Sequence, residues 1–340
     1  MAGTVIITGA NGSLGLGFVK SLLASHPEYT LVATVRNPSG EQDPNTAQLL
    51  KLLAKHPKSQ THLETLNLGR LADVRAFTSR ITDQIAVNKL PRISAIVCNA
   101  FTWSLSGQKT TADNYEATFQ VSHLSHMLLV LGLLGSMDAQ NGRIVMVGAE
   151  PHDPERGSPL SKLRAAIPDD LEHLVRPPPD AQGEVYDLGF QRYGTAKLAN
   201  VVFMHDLNAR LLRHARLSSI TVTCMDPGGL VGSRAHSEQK AGIRWAFGVI
   251  NVMMPLFRHL NSAVRTTADA GQDLVALSVG PEFKDKRGYF VGQKEGVSAE
   301  VSRNPEIQKK LWDACWAWTG LSGDETALGN DADGLGVNGK

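Results

Sequence analysis

Cysteine is scarce in this chain, and the three present, Cys98, Cys224 and Cys315, are odd in number and far apart. That excludes a disulfide framework as the source of stability. Cys98 and Cys224 fall in apolar runs that read as strands, where reduced thiols of an intracellular protein are expected. Excess charge is lacking too: 34 Lys and Arg face 33 Asp and Glu, for a formal net charge of +1. Nothing in that balance selects nucleic acid or an acidic surface as partner. No uncharged run of wholly apolar residues reaches about 18, so no membrane-spanning helix is expected. The first strand begins within a few residues of Met1, which leaves no room for a cleaved leader, and the expected location is cytoplasmic. Metal-ligand spacing is missing as well. His123, His126 and His152 form no recognisable ligand set, and no catalytic metal is expected.

What is present suits one large core. Hydrophobic residues make up 42% of the 340 positions, and short apolar strands alternate with longer helical patterns. Strands are expected at Val5–Thr8, Thr30–Val35, Leu63–Leu66, Ile93–Cys98, Arg143–Val147, Ile220–Cys224 and Gly288–Val291. Helices are expected at Leu14–Ala24, Ala47–Lys55, Leu71–Val87, Tyr115–Met137, Tyr193–His214, Ala263–Ser278 and Asn304–Thr319. Several strands are apolar throughout, as strands covered on both faces are. The expected fold class is α/β, a doubly wound parallel sheet of Rossmann type in a single domain over residues 1–320.

Two regions and a tail interrupt the alternation. Residues 150–189 hold seven of the 16 prolines, with nine acids against four bases. They read as a surface insert or part of a substrate mouth. Residues 228–261 include the apolar stretch 243–257, with Trp245, Phe247, Met253, Met254 and Phe257. That stretch reads equally as core, as the wall of an apolar substrate lid or, more weakly, as a membrane contact. Residues 321–340, with five glycines and four acids, read as a disordered tail.

Chemistry concentrates at three places. Gly9, Asn11, Gly12, Ser13, Leu14 and Gly15 follow the first strand and open the first helix. A helix N-terminus offers free N–H groups and partial positive charge to a pyrophosphate, and glycines let backbone approach it. At the end of the second strand stands Arg36. An acid there would hold the 2′-hydroxyl of NAD, whereas an arginine suits the 2′-phosphate of NADP(H). Tyr193 and Lys197 are four apart and share a helix face. The lysine cation is expected to lower the phenol below its usual ~10 and make Tyr193 an acid or base near neutrality.

In this order the motifs resemble the short-chain dehydrogenase/reductase family over residues 3–319. The phrases Gly288-Tyr289-Phe290, His152-Asp153-Pro154 and Asp226-Pro227-Gly228-Gly229-Leu230 are similar to its long-insert members. Those include relatives of retinol dehydrogenases, protochlorophyllide reductases and fungal secondary-metabolite reductases. The glycine spacing fits the TGxxGxxG variant of the family's extended branch.

The resemblance implies further cofactor contacts. Asn67 and Leu68 fall at the adenine position. Asn99 and Ala100, in Cys98-Asn99-Ala100-Phe101, replace the NNAG motif that reaches the ribose, with Phe101 in place of its glycine. Pro227, Gly228 and Leu230 match the motif that contacts the nicotinamide amide, and Lys197 would bind the nicotinamide ribose. Two catalytic positions depart: Ala149 stands where the family has serine and Ser122 where it has asparagine. Three accounts of Ala149 stay open. One is a slower reductase using Glu150, His152 or a substrate hydroxyl as donor, and another is a deliberate Ser→Ala substitution. The third is a non-redox cyclase or isomerase that keeps NADP(H) as a fixture.

The implied function is an NADPH-dependent carbonyl reductase for a hydrophobic ketone or aldehyde, in secondary metabolism. An NADP(H)-binding regulatory protein without turnover is a further alternative, and a homo-oligomer is compatible with all of these.

Overall fold

The computed structural model describes residues 2–156, 160–230, 233, 234, 239, 242 and 264–329. Eight strands form one sheet: β1 (Thr4–Ile7), β2 (Thr30–Val35), β3 (Thr61–Thr65), β4 (Ile93–Cys98), β5 (Arg143–Val147), β6 (Thr221–Asp226), β9 (Gly288–Val291) and β10 (Lys294–Glu295). Their order is β10-β9-β6-β5-β4-β1-β2-β3, and all pairs are parallel except β10 on β9. A separate parallel pair joins β7 (Gly229–Leu230) to β8 (Val264–Arg265). The expected doubly wound Rossmann-type sheet is therefore present. The antiparallel edge strand β10 is an addition to it.

Helices cover both faces: α1 (Ser13–Ser25), α2 (Pro44–Ala54), α3 (Leu71–Ala86), α4 (Ala117–Ser136), α5 (Val185–Arg213), α6 (Thr267–Val279) and α7 (Pro305–Thr319). Successive strand residues point to opposite faces. Accordingly Ile6, Ile96 and Met146 enter one apolar core with Phe77, Leu129 and Val202. Val5, Ile7, Val97 and Val145 enter the other with Phe18, Leu22 and Leu274. Fully covered strands explain why the sequence shows continuous apolar runs instead of alternation.

β1 lies between β2 and β4, so the crossovers leave it in opposite directions. This switch point opens a crevice beyond the carboxyl ends of the strands, the place where such sheets bind ligands.

Four local readings change. α5 starts at Val185, two turns before the expected start, and no proline stands between Pro179 and Tyr193 to prevent it. Tyr193 is thus in the third turn of an established helix. The rest of the proline-rich insert packs on the outer side of α5, through Ser161 on Asp187 at 2.9 Å and Arg192 on Asp180.

α4 contains a π-helical stretch, Gln120–Leu124, which periodicity does not announce. By length and composition α4 is apolar enough to cross a membrane, yet 83% of its apolar window is buried inside the fold, as a core helix would be. Residues 321–329, expected in the disordered tail, pack instead: Leu321 and Leu328 join the core, and Glu325 pairs with Arg75 at 2.8 Å. Residues 330–340 and the apolar stretch 243–257, with its proposed lid wall and membrane contact, lie outside the described residues.

Candidate active site

The glycine turn hangs from the end of β1. Gly9 has φ +63°, a left-handed conformation that other residues enter at a cost. A Cβ on Gly15 would lie 2.4 Å from the Gly9 carbonyl oxygen and 2.9 Å from Ala10 Cα. α1 therefore starts hard against the turn, and only glycine permits that approach. Its N-cap, Gly12, makes no side-chain cap, which leaves the first-turn N–H groups of Ser13 and Leu14 to a ligand.

Thr8 and Asn99 hold the turn to the sheet. The Asn99 carboxamide donates to the carbonyls of Thr8 (2.8 Å) and Gly9 (3.1 Å). The backbone N–H groups of Asn99 and Ala100 donate to Thr8 Oγ1 at 3.0 and 2.9 Å. The carboxamide nitrogen of the asparagine expected at the ribose thus goes to the turn itself. His126 completes the bracket. Its Nδ1 faces the Ser122 carbonyl at 3.1 Å and its Nε2 faces Thr8 Oγ1 at 2.9 Å. Burial lowers its pKa to about 3, so the ring is neutral, with Nδ1 donating and Nε2 accepting from the threonine hydroxyl.

The other cofactor positions are arranged along the crevice. Arg36 is exposed just beyond β2. Asn11 donates to Asp43 and Thr46, both at 3.0 Å, and so ties the turn to the start of α2. Asn67 accepts from the Gly69 N–H at 3.1 Å, and the carbonyl of buried Leu68 accepts from Ser125 at 2.6 Å. Gly228 has φ +75°, and its N–H donates to Asp226 at 2.8 Å, next to buried Pro227. Leu230 lies in β7.

One contact was not legible in the sequence. Arg234 reaches back across the turn: its backbone N–H and Nε donate to Ser13 Oγ at 3.1 and 3.2 Å, and its guanidinium also donates to the Asn11 carbonyl. Ser13 Oγ accepts from this arginine and keeps its own O–H to donate. The only signal was a basic residue shortly after the Pro227-Gly228 turn.

At the other end of the crevice, Lys197 is 2% exposed, and its Nζ donates to the Val147 carbonyl at 2.7 Å. Burial, opposed by the nearby Cys224, Asp226 and Cys98, brings its pKa down to about 8. Tyr193 lies one turn earlier, with Lys197 Nζ 5.8 Å from its ring centroid. Its phenol is shifted up, not down as expected. Burial among neighbouring rings dominates, and the Asp226 carboxylate adds to it. The lysine does not outweigh desolvation here.

The two altered positions also take their places. Ser122 sits within the π-helical stretch of α4, buried, with its hydroxyl 3.4 Å from the Thr102 carbonyl. Ala149 follows β5 in extended conformation and is 9% exposed. His152 does not replace the missing hydroxyl. Its Nδ1 is 2.9 Å from the Ala149 carbonyl and its Nε2 accepts from the Ala299 N–H at 3.2 Å. Glu150 is exposed. Beside them Tyr289 donates to Asp226 at 3.3 Å, and burial raises the Asp226 pKa. Among the described residues, no group of three or more His, Cys, Asp or Glu is placed to hold a metal.

The residues present fit a dinucleotide. A Cβ-free cradle and an uncapped helix N-terminus would hold the phosphates, and Lys197 stands at the far end of the crevice. The site thus combines an anion cradle, a buried cation and a tyrosine acid along the carboxyl ends of the central strands.

Comparison with known proteins agrees. Residues 3–151 match a model described as short chain dehydrogenase, and residues 241–328 match one described as AcuH dehydrogenase domain. A short-chain dehydrogenase named iccH, from Talaromyces variabilis, is 28% identical over 96% of this chain and 98% of its own. Human retinol dehydrogenase 14 is 26% identical over 94% of this chain and 86% of its own. Among solved structures, an NADPH-bound carbonyl reductase from chicken fatty liver superimposes with a TM-score of 0.55 at 16% identity. It covers 87% of this chain and 93% of that one.

Proposed function

Because the chain belongs to the short-chain dehydrogenase/reductase family, we propose that it is an NADPH-dependent carbonyl reductase acting on a hydrophobic ketone or aldehyde. One observation carries this reading. Tyr193 and Lys197 share a helix face, with the Lys197 ammonium anchored on Val147 at the carboxyl end of β5. Arg36 and the absence of an acid at the end of β2 support NADPH over NADH. The apolar rings around Tyr193 support a hydrophobic substrate.

When bound, NADPH supplies hydride to the carbonyl carbon. Tyr193 donates its phenolic proton to the carbonyl oxygen as negative charge develops there. Its raised pKa keeps the phenol protonated at neutral pH, which suits the reductive direction. Lys197 holds a positive charge one turn away and stabilises the resulting phenolate. Without a serine at 149 one donor to the oxyanion is absent, a loss worth about 10²–10³ in rate. The test is NADPH oxidation over a panel of apolar ketones and aldehydes, with wild type, Tyr193→Phe and Ala149→Ser. Turnover abolished by Tyr193→Phe supports the reading. Background rates in both wild type and Ala149→Ser overturn it.

Ala149 favours a second reading, a non-redox cyclase or isomerase on the same scaffold. A product of unchanged oxidation state, formed without NADPH consumption, is its signature. Stoichiometric consumption rules it out.

A further inference from the structure

Phe101 stands where the resemblance to the family implies a glycine, and it is 38% exposed, beside half-buried Trp103 and Tyr193. It is one of several aromatic rings gathered on the tyrosine. Phe101 lies 5.8 Å from the Tyr193 ring, Trp103 lies 4.9 Å from it, and Phe190 lies 6.2 Å from both Trp103 and Tyr193. Phe101 and Trp103 meet at 6.5 Å, and Lys197 Nζ is 5.3 Å from the Phe101 centroid.

The wall is set by backbone contact. A Cβ on Gly189 would lie 2.3 Å from the Ser104 carbonyl oxygen, so the loop after β4 is seated directly on α5. Buried Phe190 supports Trp103 from the same helix. The rings are therefore held in place before any substrate arrives, at the end of the crevice where the proton and the cation reside. Exposed Phe101 and half-buried Trp103 thus leave aromatic surface open beside Tyr193.

We propose that the preferred substrate is a ketone fused or conjugated to a flat aromatic ring, with Phe101 and Trp103 as the residues that select it. Planar rings gain offset or edge-to-face contacts with such a wall that saturated rings of equal size do not. This rests on the carbonyl-reductase reading. In the step itself the carbonyl carbon takes hydride from NADPH, leaving NADP⁺, and the oxygen takes the Tyr193 proton. The product is the secondary alcohol.

The experiment compares 1-tetralone with 1-decalone, its saturated counterpart, in wild type, Phe101→Leu and Trp103→Leu. Each protein is also checked for its melting temperature. The wild type is expected to favour tetralone at least about 10-fold in kcat/KM. Each leucine variant is expected to lower the tetralone value about 3–10-fold more than the decalone value, mainly through KM. A wild-type ratio near one overturns the proposal, and so do variants that lower both ketones alike. Calorimetric binding of the same two ketones reads the preference without turnover. If neither ketone is reduced but tetralone binds more tightly and loses that advantage in the variants, the reductase reading fails and the ring preference stands. Equal binding of the two overturns the preference.

Discussion

Replacing Lys197 by methionine (Lys197→Met) isolates the cost of holding a charge at the end of β5. The side chain is 2% exposed, and burial brings its pKa from 10.5 to about 8. Charging it in the folded chain is therefore less favourable than in the unfolded chain by about 3 kcal/mol. Methionine fills a similar volume without a charge. It leaves the Val147 carbonyl without its donor, which costs about 1–2 kcal/mol. The cofactor-free variant should be more stable than wild type by about 1–2 kcal/mol at pH 7, although it has lost activity.

The sign of the pH dependence is fixed. The unfolded chain binds the lysine proton more tightly, so wild-type stability from this group is flat below pH 8 and rises between pH 8 and 10.5. The advantage of Lys197→Met should shrink over that window and reverse near its upper end. Urea unfolding of both proteins at several pH values measures the difference directly, since all other titrations cancel. A difference that stays constant across the window, or a variant less stable at pH 7, would refute the reasoning.

Other outcomes follow from the crevice. Gly15→Ala forces a Cβ onto the Gly9 carbonyl at 2.4 Å. It should weaken dinucleotide binding by at least ~10-fold and stability by about 1–3 kcal/mol, read by calorimetric titration and melting. Ala149→Ser should raise kcat by about 10–100-fold if its hydroxyl reaches the oxyanion; an unchanged kcat argues that the oxygen lies elsewhere. Arg36→Ala should weaken NADPH selectively, whereas Arg234→Ala should weaken NADPH and NADH alike, each by about 10-fold. Fluorescence titration with both dinucleotides separates the two arginines, and a selective effect at Arg234 would place it on the 2′-phosphate instead. Turnover should fall above about pH 8 as Lys197 loses its charge, visible in a kcat profile.

What could be read from sequence was what depends on local order. The apolar runs at β1, β4 and β5 announce strands covered on both faces, and the four-residue spacing of Tyr193 and Lys197 places both on one face of α5. Gly9 and Gly15 are legible because a left-handed turn favours glycine and because a Cβ at 15 would meet the Gly9 carbonyl. The direction of the Tyr193 shift was not legible. It depends on enclosure by Phe101, Trp103 and Phe190 and on Asp226, which folding brings in from β6. Arg234 on Ser13 joins residues far apart in the chain, and no spacing rule links them. Asn99 shows the converse: its position is as expected, but its hydrogen bonds go to the turn. Residues 321–329 pack although they were expected in the tail, because composition registers glycines and acids but not that Leu321 and Leu328 join the apolar core.

The two-residue pairing of β7 with β8 has an evolutionary consequence. Leu230 lies beside Arg265, and Gly229 beside Val264, so this small pair, apart from the main sheet, brings positions 230 and 264 close together. Closing a loop between fixed, adjacent ends makes its free energy only weakly dependent on length. An exchange between 230 and 264 that keeps Arg234 on Ser13 is expected to leave the β-sheet and the Tyr193–Lys197 pair in place. Chimeras joined at 230 and 264 should fold as the parent does, and they offer a way to move specificity between enzymes while the chemistry stays where it is.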